Sequence, residues 1–252
     1  MPARQTPALE PGTRQAYHAI SLGFYEGELL RRLDPRRRSL GQFFQDEIAT
    51  PLGLDVYIRL PESIPNARLT AIAQPGLIDM LFGFPLRLTL DSWNRHSILY
   101  RALIANPGTA FLHDPQRVYA RHLEVPSGGG VGTARAIARA YSVFATGGRE
   151  LGLRQETLDL LGAPAIAPSR GFHDECLKGD VQFSLGFMKP SPAWPFGSPR
   201  SYGFPGAGGS IGFADPDARI GYAYVTSQMG TSLTGDPRDL ALRTALYSAI
   251  DA

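Results

Sequence analysis

The chain has 252 residues, 43% hydrophobic and 19% charged, which is enough apolar material for one large globular domain and argues against a disordered tail. Its 25 basic and 23 acidic residues leave a net charge of +2, so neither a nucleic-acid footprint nor an acidic, solvating composition is present. A single cysteine, Cys176, excludes an internal disulfide framework and a cysteine-rich zinc site, and neither a metal nor a cofactor is expected.

Lys178 and Lys189 are the only lysines, so 23 of the 25 basic residues are arginine and any mechanism needing a catalytic lysine has two candidates. The first dozen residues, MPARQTPALEPG, carry no apolar leader core, and no run of roughly eighteen apolar residues follows. A cytoplasmic protein with neither membrane nor nucleic-acid partner is the resulting expectation.

Residues 1–13 read as an arm ending in the turn Glu10-Pro11-Gly12-Thr13. From Ile20, apolar or small residues at Gly23, Phe24, Gly27, Leu30 and Leu33 form one helical face. Gly23 and Gly27 lower helix propensity there and point to another backbone lying close against that face. Ser39 with Gln42 predicts a capping box opening a second helix through Leu40, Phe43, Phe44 and Ile48, stopped by Pro51-Leu52-Gly53-Leu54. Val56, Ile58 and Leu60 alternate as a short strand. Residues 127–132, SGGGVG, form a tight loop feeding a helix through Ala134, Ile137, Ala138, Tyr141 and Ala145, closed by Gly147-Gly148.

Beyond residue 180 the period falls to two. Val181, Phe183, Leu185 and Phe187 predict one strand with a buried face. Residues 206–213 and 219–226 are two further extended runs joined by an Asp-Pro turn at residues 214–218, giving an antiparallel meander. Asp236 at the N-cap and Pro237 at the first position open a last helix, with Leu242, Ala245, Leu246, Ala249 and Ile250 as its buried face. The whole predicts an α+β fold in a single domain, 1–252, mainly helical over 14–165, with the antiparallel sheet and C-terminal helix over 180–251.

Four constellations carry possible chemistry. Gly208-Gly209-Ser210-Ile211-Gly212 matches G-x-S-x-G, the nucleophile turn of α/β-hydrolases. However, all five histidines precede Ser210, and the run leads into a hairpin where such a turn needs a helix. The loop at 127–132 lacks the lysine and hydroxyl of a phosphate-binding loop and reads as a turn opening a helix. His173-Asp174-Glu175-Cys176 holds the H-x-E of zinc deaminases without the second cysteine pair, and reads as partly exposed polar residues or a Cys-His dyad. Arg31, Arg32, Arg36, Arg37 and Arg38 form a basic cluster at a helix end, a solvated face or a phosphate contact.

The order of several runs adds to this reading. Tyr17-His18-Ala19, Gly27-Glu28-Leu29-Leu30-Arg31-Arg32, Ser39-Leu40-Gly41-Gln42-Phe43-Phe44 and Pro51-Leu52-Gly53-Leu54, followed by the SGGG loop and residues 206–216, resemble the β-lactamase-related serine hydrolases. That superfamily comprises class C β-lactamases, penicillin-binding proteins and family VIII esterases, and the match to the esterase-like branch runs from about residue 9 onward. The resemblance implies a β-lactamase/transpeptidase-like fold, with an antiparallel sheet flanked by helices and a helical lobe. It also implies an acyl-enzyme mechanism on small-molecule esters or amides, in which a serine of an S-x-x-K motif is the nucleophile and lysine and tyrosine transfer the proton. Tyr17 is then the catalytic tyrosine. The strand through Phe204, Gly206, Ala207 and Gly208 edges the site and offers an N–H to the oxyanion.

Three departures stand out. Glu175 and Gly186 lie three residues before the two lysines, so S-x-x-K is missing from these residues. The resemblance then implies a chain that begins after that motif, inactive alone, with a sheet short of its N-terminal strands and an uncovered edge that favours self-association. Phe204 stands where the family carries Lys or His, and Ala19 replaces the Asn of Y-x-N. The alternatives are a non-catalytic binding or scaffold protein of the same fold, and an α/β-hydrolase using Ser210.

Overall fold

The computed structural model describes residues 6–76, 79, 83, 86–105, 121–232 and 235–250. The chain divides into two compact units that interleave along the sequence, one of residues 1–68, 86–133 and 167–180, the other of residues 69–85, 134–166 and 181–252.

In the first unit, helix α1 spans Leu22–Leu33. A Cβ on Gly23 would sit 2.8 Å from the Pro126 ring and 3.1 Å from the Ser127 nitrogen, so the expected close approach is real. At Gly27 only Leu40 comes near, at 4.0 Å, an ordinary contact, and that glycine has no such need. The Asp34 backbone N–H closes α1 on the Leu30 carbonyl at 2.7 Å. Its carboxylate then receives the Arg38 N–H at 2.9 Å and the Arg38 Nε at 2.8 Å. Those hydrogen bonds hold the Asp34 carboxyl well below the usual carboxylate range.

Helix α2, Leu40–Phe44, opens on the expected capping box: Ser39 Oγ accepts the Gln42 N–H at 3.2 Å, and Gln42 Oε1 accepts the Ser39 N–H at 2.9 Å. Glu124 joins this start, accepting the Ser39 hydroxyl at 2.7 Å and the Gly41 N–H at 2.9 Å. Instead of running on as an α-helix through Ile48, the chain widens into a π-helical turn, Gln45–Ala49. Gly53, at φ 62°, then ends the segment. The arginine cluster is largely discharged internally, Arg31 and Arg32 on Glu28 and Arg36 and Arg38 on Asp46 and Glu47.

The strand expected through Leu60 shrinks to β1, Val56–Tyr57, paired antiparallel with β2, Val131–Gly132. Helix α3 covers Leu86–Trp93. Strands β3, His173–Asp174, and β4, Gly179–Asp180, form a second antiparallel pair.

The second unit holds α4 (Ala134–Ala145), α5 (Gln155–Gly162) and a five-stranded antiparallel sheet. Its strands are β5 (Gln182–Ser184), β6 (Phe187–Lys189), β7 (Tyr202–Pro205), β8 (Ile211–Asp215) and β9 (Ile220–Tyr224), neighbours in the order of the chain. The expected meander is present, with two corrections. The run 181–187 is not one strand: Leu185 and Gly186 adopt φ of 48° and 83°, a two-residue hairpin turn, and Leu185 is 62% exposed. Residues 206–210 are likewise a turn, between β7 and β8, where an extended run was expected.

Two strand glycines let α4 lie on the sheet. A Cβ on Gly212 would meet Tyr141 at 2.7 Å and Ile137 at 2.9 Å, and one on Gly221 would fall on the backbone of Ala138 and Ser142. Tyr202 and Ala214 from the sheet, with Ala145, Leu158 and Leu161 from α4 and α5, form the buried core of this unit.

Helix α6, Pro237–Ile250, has the expected start, with Asp236 Oδ1 accepting the Arg238 N–H at 2.9 Å. Its orientation is a correction. Leu242 and Ile250 are 55% and 46% exposed, while Asp239 and Arg243 are buried. Arg243 Nε donates to Asp239 Oδ2 at 2.9 Å and its Nη1 to the Pro195 carbonyl at 2.9 Å, and the Tyr222 hydroxyl donates to Asp239 Oδ1 at 2.9 Å. A buried ion pair one turn apart, completed by a hydroxyl and a carbonyl, turns the charged face inward.

Lys189 is 2% exposed, and its Nζ donates to the Leu161 carbonyl at 3.0 Å and the Arg200 carbonyl at 3.2 Å. Burial, aided by the Arg200 charge, pushes its ammonium down to about 8. Between pH 8 and the ordinary lysine value of about 10.4, the unfolded chain holds a proton that the native chain has lost, so this group's contribution to stability rises with pH. The melting temperature of wild type should therefore gain on that of Lys189→Met between pH 8 and 10. Parallel melting profiles would refute this.

Candidate functional site

The segment carrying Tyr17 is laid beside β3. Gln15 bridges Asp174 in parallel register, with the Glu175 N–H on the Gln15 carbonyl at 3.0 Å and Gln15 Nε2 on the Phe172 carbonyl at 2.7 Å. Arg14 and Glu175 close an ion pair at 3.0 Å. The Tyr17 N–H donates to Asp174 Oδ1 at 3.2 Å, and its ring packs on Ala19, Ile20 and Val125. Ala19, where the resemblance expects the Asn of Y-x-N, is a buried core residue.

Burial first, then the Cys176 thiol and the Asp174 carboxylate, push the Tyr17 phenol up to about 12. A phenol held there transfers protons at neutral pH only when a cation joins it. Lys178, the cation of the same loop, is engaged with Asp91 at 3.3 Å. Burial, with Asp174 adding to it and Lys178 opposing, pushes Cys176 up to about 11, away from thiolate reactivity.

The polar run 173–176 is a correction to the sequence reading. His173 is exposed, but Asp174 and Cys176 are fully buried. Asp174 Oδ1 accepts the Cys176 N–H at 2.9 Å and the Leu177 N–H at 2.8 Å in addition to that of Tyr17. An aspartate followed by a tight turn back to Gly179 is an Asx-type pattern, the one local signal that could have picked it out.

Phe204, Gly206, Ala207 and Gly208 lie in the second unit. Phe204 pairs in register with Gly212 on β7 and β8 and stacks on Phe183 at 6.1 Å. The Gly206 N–H donates to the Ser210 carbonyl at 2.6 Å, closing the turn. Gly206 and Ala207 are exposed, and Gly208 is buried against Met229 with φ 87°. Ser210 leads directly into β8, and its hydroxyl accepts the Thr226 N–H at 3.3 Å. No helix follows it, so the geometry is not that of a nucleophile turn. The cavity it lines with Trp194, Gly209 and Asp239 is about 20 Å³, room for one water and no substrate.

Among the described residues, no three His, Cys, Asp or Glu side chains gather as a metal site, and no helix is long and apolar enough to cross a membrane. A family model described as Beta-lactamase matches residues 1–246. The Esterase/beta-lactamase LipL of Mycobacterium tuberculosis is 28% identical over 223 residues, 86% of this chain and 49% of LipL. Among solved structures, EstA from Arthrobacter nitroguajacolicus Rue61a superposes with a TM-score of 0.80 at 29% identity, covering 99% of this chain and 63% of EstA. A family VIII carboxylesterase gives 0.78 at 32% identity, covering 98% and 61%. A penicillin-binding protein homolog from Caulobacter crescentus gives 0.72 at 29%, covering 98% and 62%. The chain therefore spans about half the length of the curated relative and under two thirds of these three structures.

Proposed function

This chain belongs to the Beta-lactamase family and has its β-lactamase/transpeptidase-like fold, and on that premise we propose that it carries the tyrosine and the strand of an esterase-type serine hydrolase. The substrates are small esters or amides, cleaved through an acyl-enzyme. A serine Oγ attacks the carbonyl carbon and its proton passes to the tyrosine and lysine pair. The leaving group takes that proton, and water then releases the acyl group.

The observation that carries this reading is the family match across residues 1–246, and the resemblance of Tyr17-His18-Ala19 to the family's tyrosine motif supports Tyr17 in that role. Tyr17 is the proton-transfer group. Its raised phenol needs the ammonium of the motif lysine to become a base. The exposed Gly206-Ala207 turn at the end of β7 edges the substrate, and Phe204 on Phe183 gives that edge an apolar face suited to an acyl chain. The serine and lysine come from outside these 252 residues, because no serine here stands three before a lysine. Alone, this chain is then inactive. Exposed Leu242 and Ile250 on α6 support the expectation that copies associate.

A second reading, a binding or scaffold protein of the same fold, is favoured by Phe204, which cannot donate the hydrogen bond of the Lys or His it replaces. Nitrophenyl butyrate hydrolysis separates the two. The chain alone should give only the buffer rate, and adding an S-x-x-K segment from an esterase relative should restore turnover. In that pair, Tyr17→Phe should lower kcat by about 100-fold or more and Ser210→Ala should leave it unchanged. Silence of the pair would favour the scaffold, while hydrolysis by the chain alone that Ser210→Ala abolishes would overturn the proposal.

A further inference from the structure

Asp174 is fully buried and spends one oxygen three times over. Oδ1 takes the N–H groups of Tyr17, Cys176 and Leu177, two of them from its own loop and one from a segment 157 residues away in the chain. Its second oxygen, Oδ2, is buried with no hydrogen-bond partner among the described residues. A buried acceptor left this way is costly unless a donor arrives. The charged groups around it are accounted for. Lys178 faces Asp91, Arg14 faces Glu175, and Cys176 is a protonated thiol.

We propose that Asp174 is the positioning residue for Tyr17, with Oδ1 fixing the tyrosine's backbone to β3 and Oδ2 holding a buried negative charge that the incoming ammonium neutralises. This deepens the hydrolase reading and rests on Tyr17 as its proton-transfer group. Burial keeps Tyr17 a neutral phenol, with the Cys176 thiol and then the Asp174 carboxylate adding to it. An ammonium that reaches the buried carboxylate is held protonated by the same charge and can stabilise the phenolate. The device explains why the Tyr17 segment is tied so closely to a loop with no other role in the reaction.

The test uses the full chain labelled with ¹³C at tyrosine Cζ, the Tyr17 resonance being assigned by its loss in Tyr17→Phe. Asp174→Asn keeps an Oδ1 acceptor for all three N–H groups and removes the charge, so the Tyr17 titration midpoint should fall by about half a pH unit, Asp174 being the smallest of the three causes that raise it. Asp174→Ala removes the acceptor as well, and the Tyr17 amide should shift and lose protection from hydrogen exchange. An unmoved midpoint in the Asn variant overturns the proposal. In the unmodified chain, the Tyr17 amide should be protected from hydrogen exchange to the same degree as those of Cys176 and Leu177, which share its acceptor. A Tyr17 amide that exchanges freely overturns the proposal even if neither variant folds. None of these readouts requires turnover. A Tyr17 that answers to Asp174, in a chain that stays silent with the S-x-x-K segment, would remove the hydrolase reading and leave the positioning intact.

Discussion

Gly221→Ala should lower the stability of the β5–β9 unit by about 3 kcal/mol, seen as a fall of about 1 to 2 M in the urea midpoint. The added methyl would fall on the Ala138 carbonyl and the Ser142 nitrogen, and these are helix backbone, which cannot swing aside as a side chain can. Only a shift of α4 away from β9 makes room, and that shift opens the core of Ala145, Leu158, Leu161, Tyr202 and Ala214. Gly179→Ala is the control. A Cβ on Gly179 meets nothing within 4 Å, so its midpoint should stay close to wild type. A Gly221→Ala protein with an unshifted midpoint would show that α4 does not lean on that strand.

Asp215→Ala should cost about 3 kcal/mol or more, because one buried carboxylate organises the β8–β9 turn. It accepts the Ser198 hydroxyl at 2.7 Å, the Tyr247 hydroxyl at 2.6 Å and the N–H groups of Ser198, Asp217 and Ala218 at 2.9, 3.1 and 3.2 Å. Removing it strands five donors at once. Burial pushes this carboxyl up, but the hydrogen bonds from Tyr247, Ser198 and Ala218 outweigh it and hold it below the ordinary value. The unfolded chain then binds the proton first as pH falls. The stabilisation is complete above about pH 4 and is lost below it, as pH falls through the native value. Wild type should lose its advantage over Asp215→Ala on acidification, measured by urea midpoints between pH 6 and 3. A constant gap across that range would place the stabilisation elsewhere.

Local chemistry was legible and long-range pairing was not. The capping box at Ser39 and Gln42, the Asp236-Pro237 helix start and the β8–β9 turn each depend on residues within four positions of one another, so their patterns survive in the sequence. The 181–187 alternation misled because Leu185-Gly186 preserves period two while reversing the chain. The inward face of α6 escaped because Asp239 and Arg243 are buried by Tyr222 and Pro195, which no helical periodicity contains. Tyr17 entered through an ordered family pattern. Its partner Asp174 lies inside a run that reads as partly exposed polar residues or a Cys-His dyad, and only the fold brings the two within hydrogen-bond distance.

The two lysines have a practical consequence. Lys189 is sealed in the second unit, whereas about a third of the Lys178 side chain reaches solvent, at 3.3 Å from Asp91. With every other basic side chain an arginine or histidine, an amine-directed reagent meets one accessible lysine on the folded chain, in the loop that anchors Tyr17. Apart from the chain's α-amine, Lys178 is then the one site such a reagent labels, and a fluorophore there reports on the loop that anchors Tyr17.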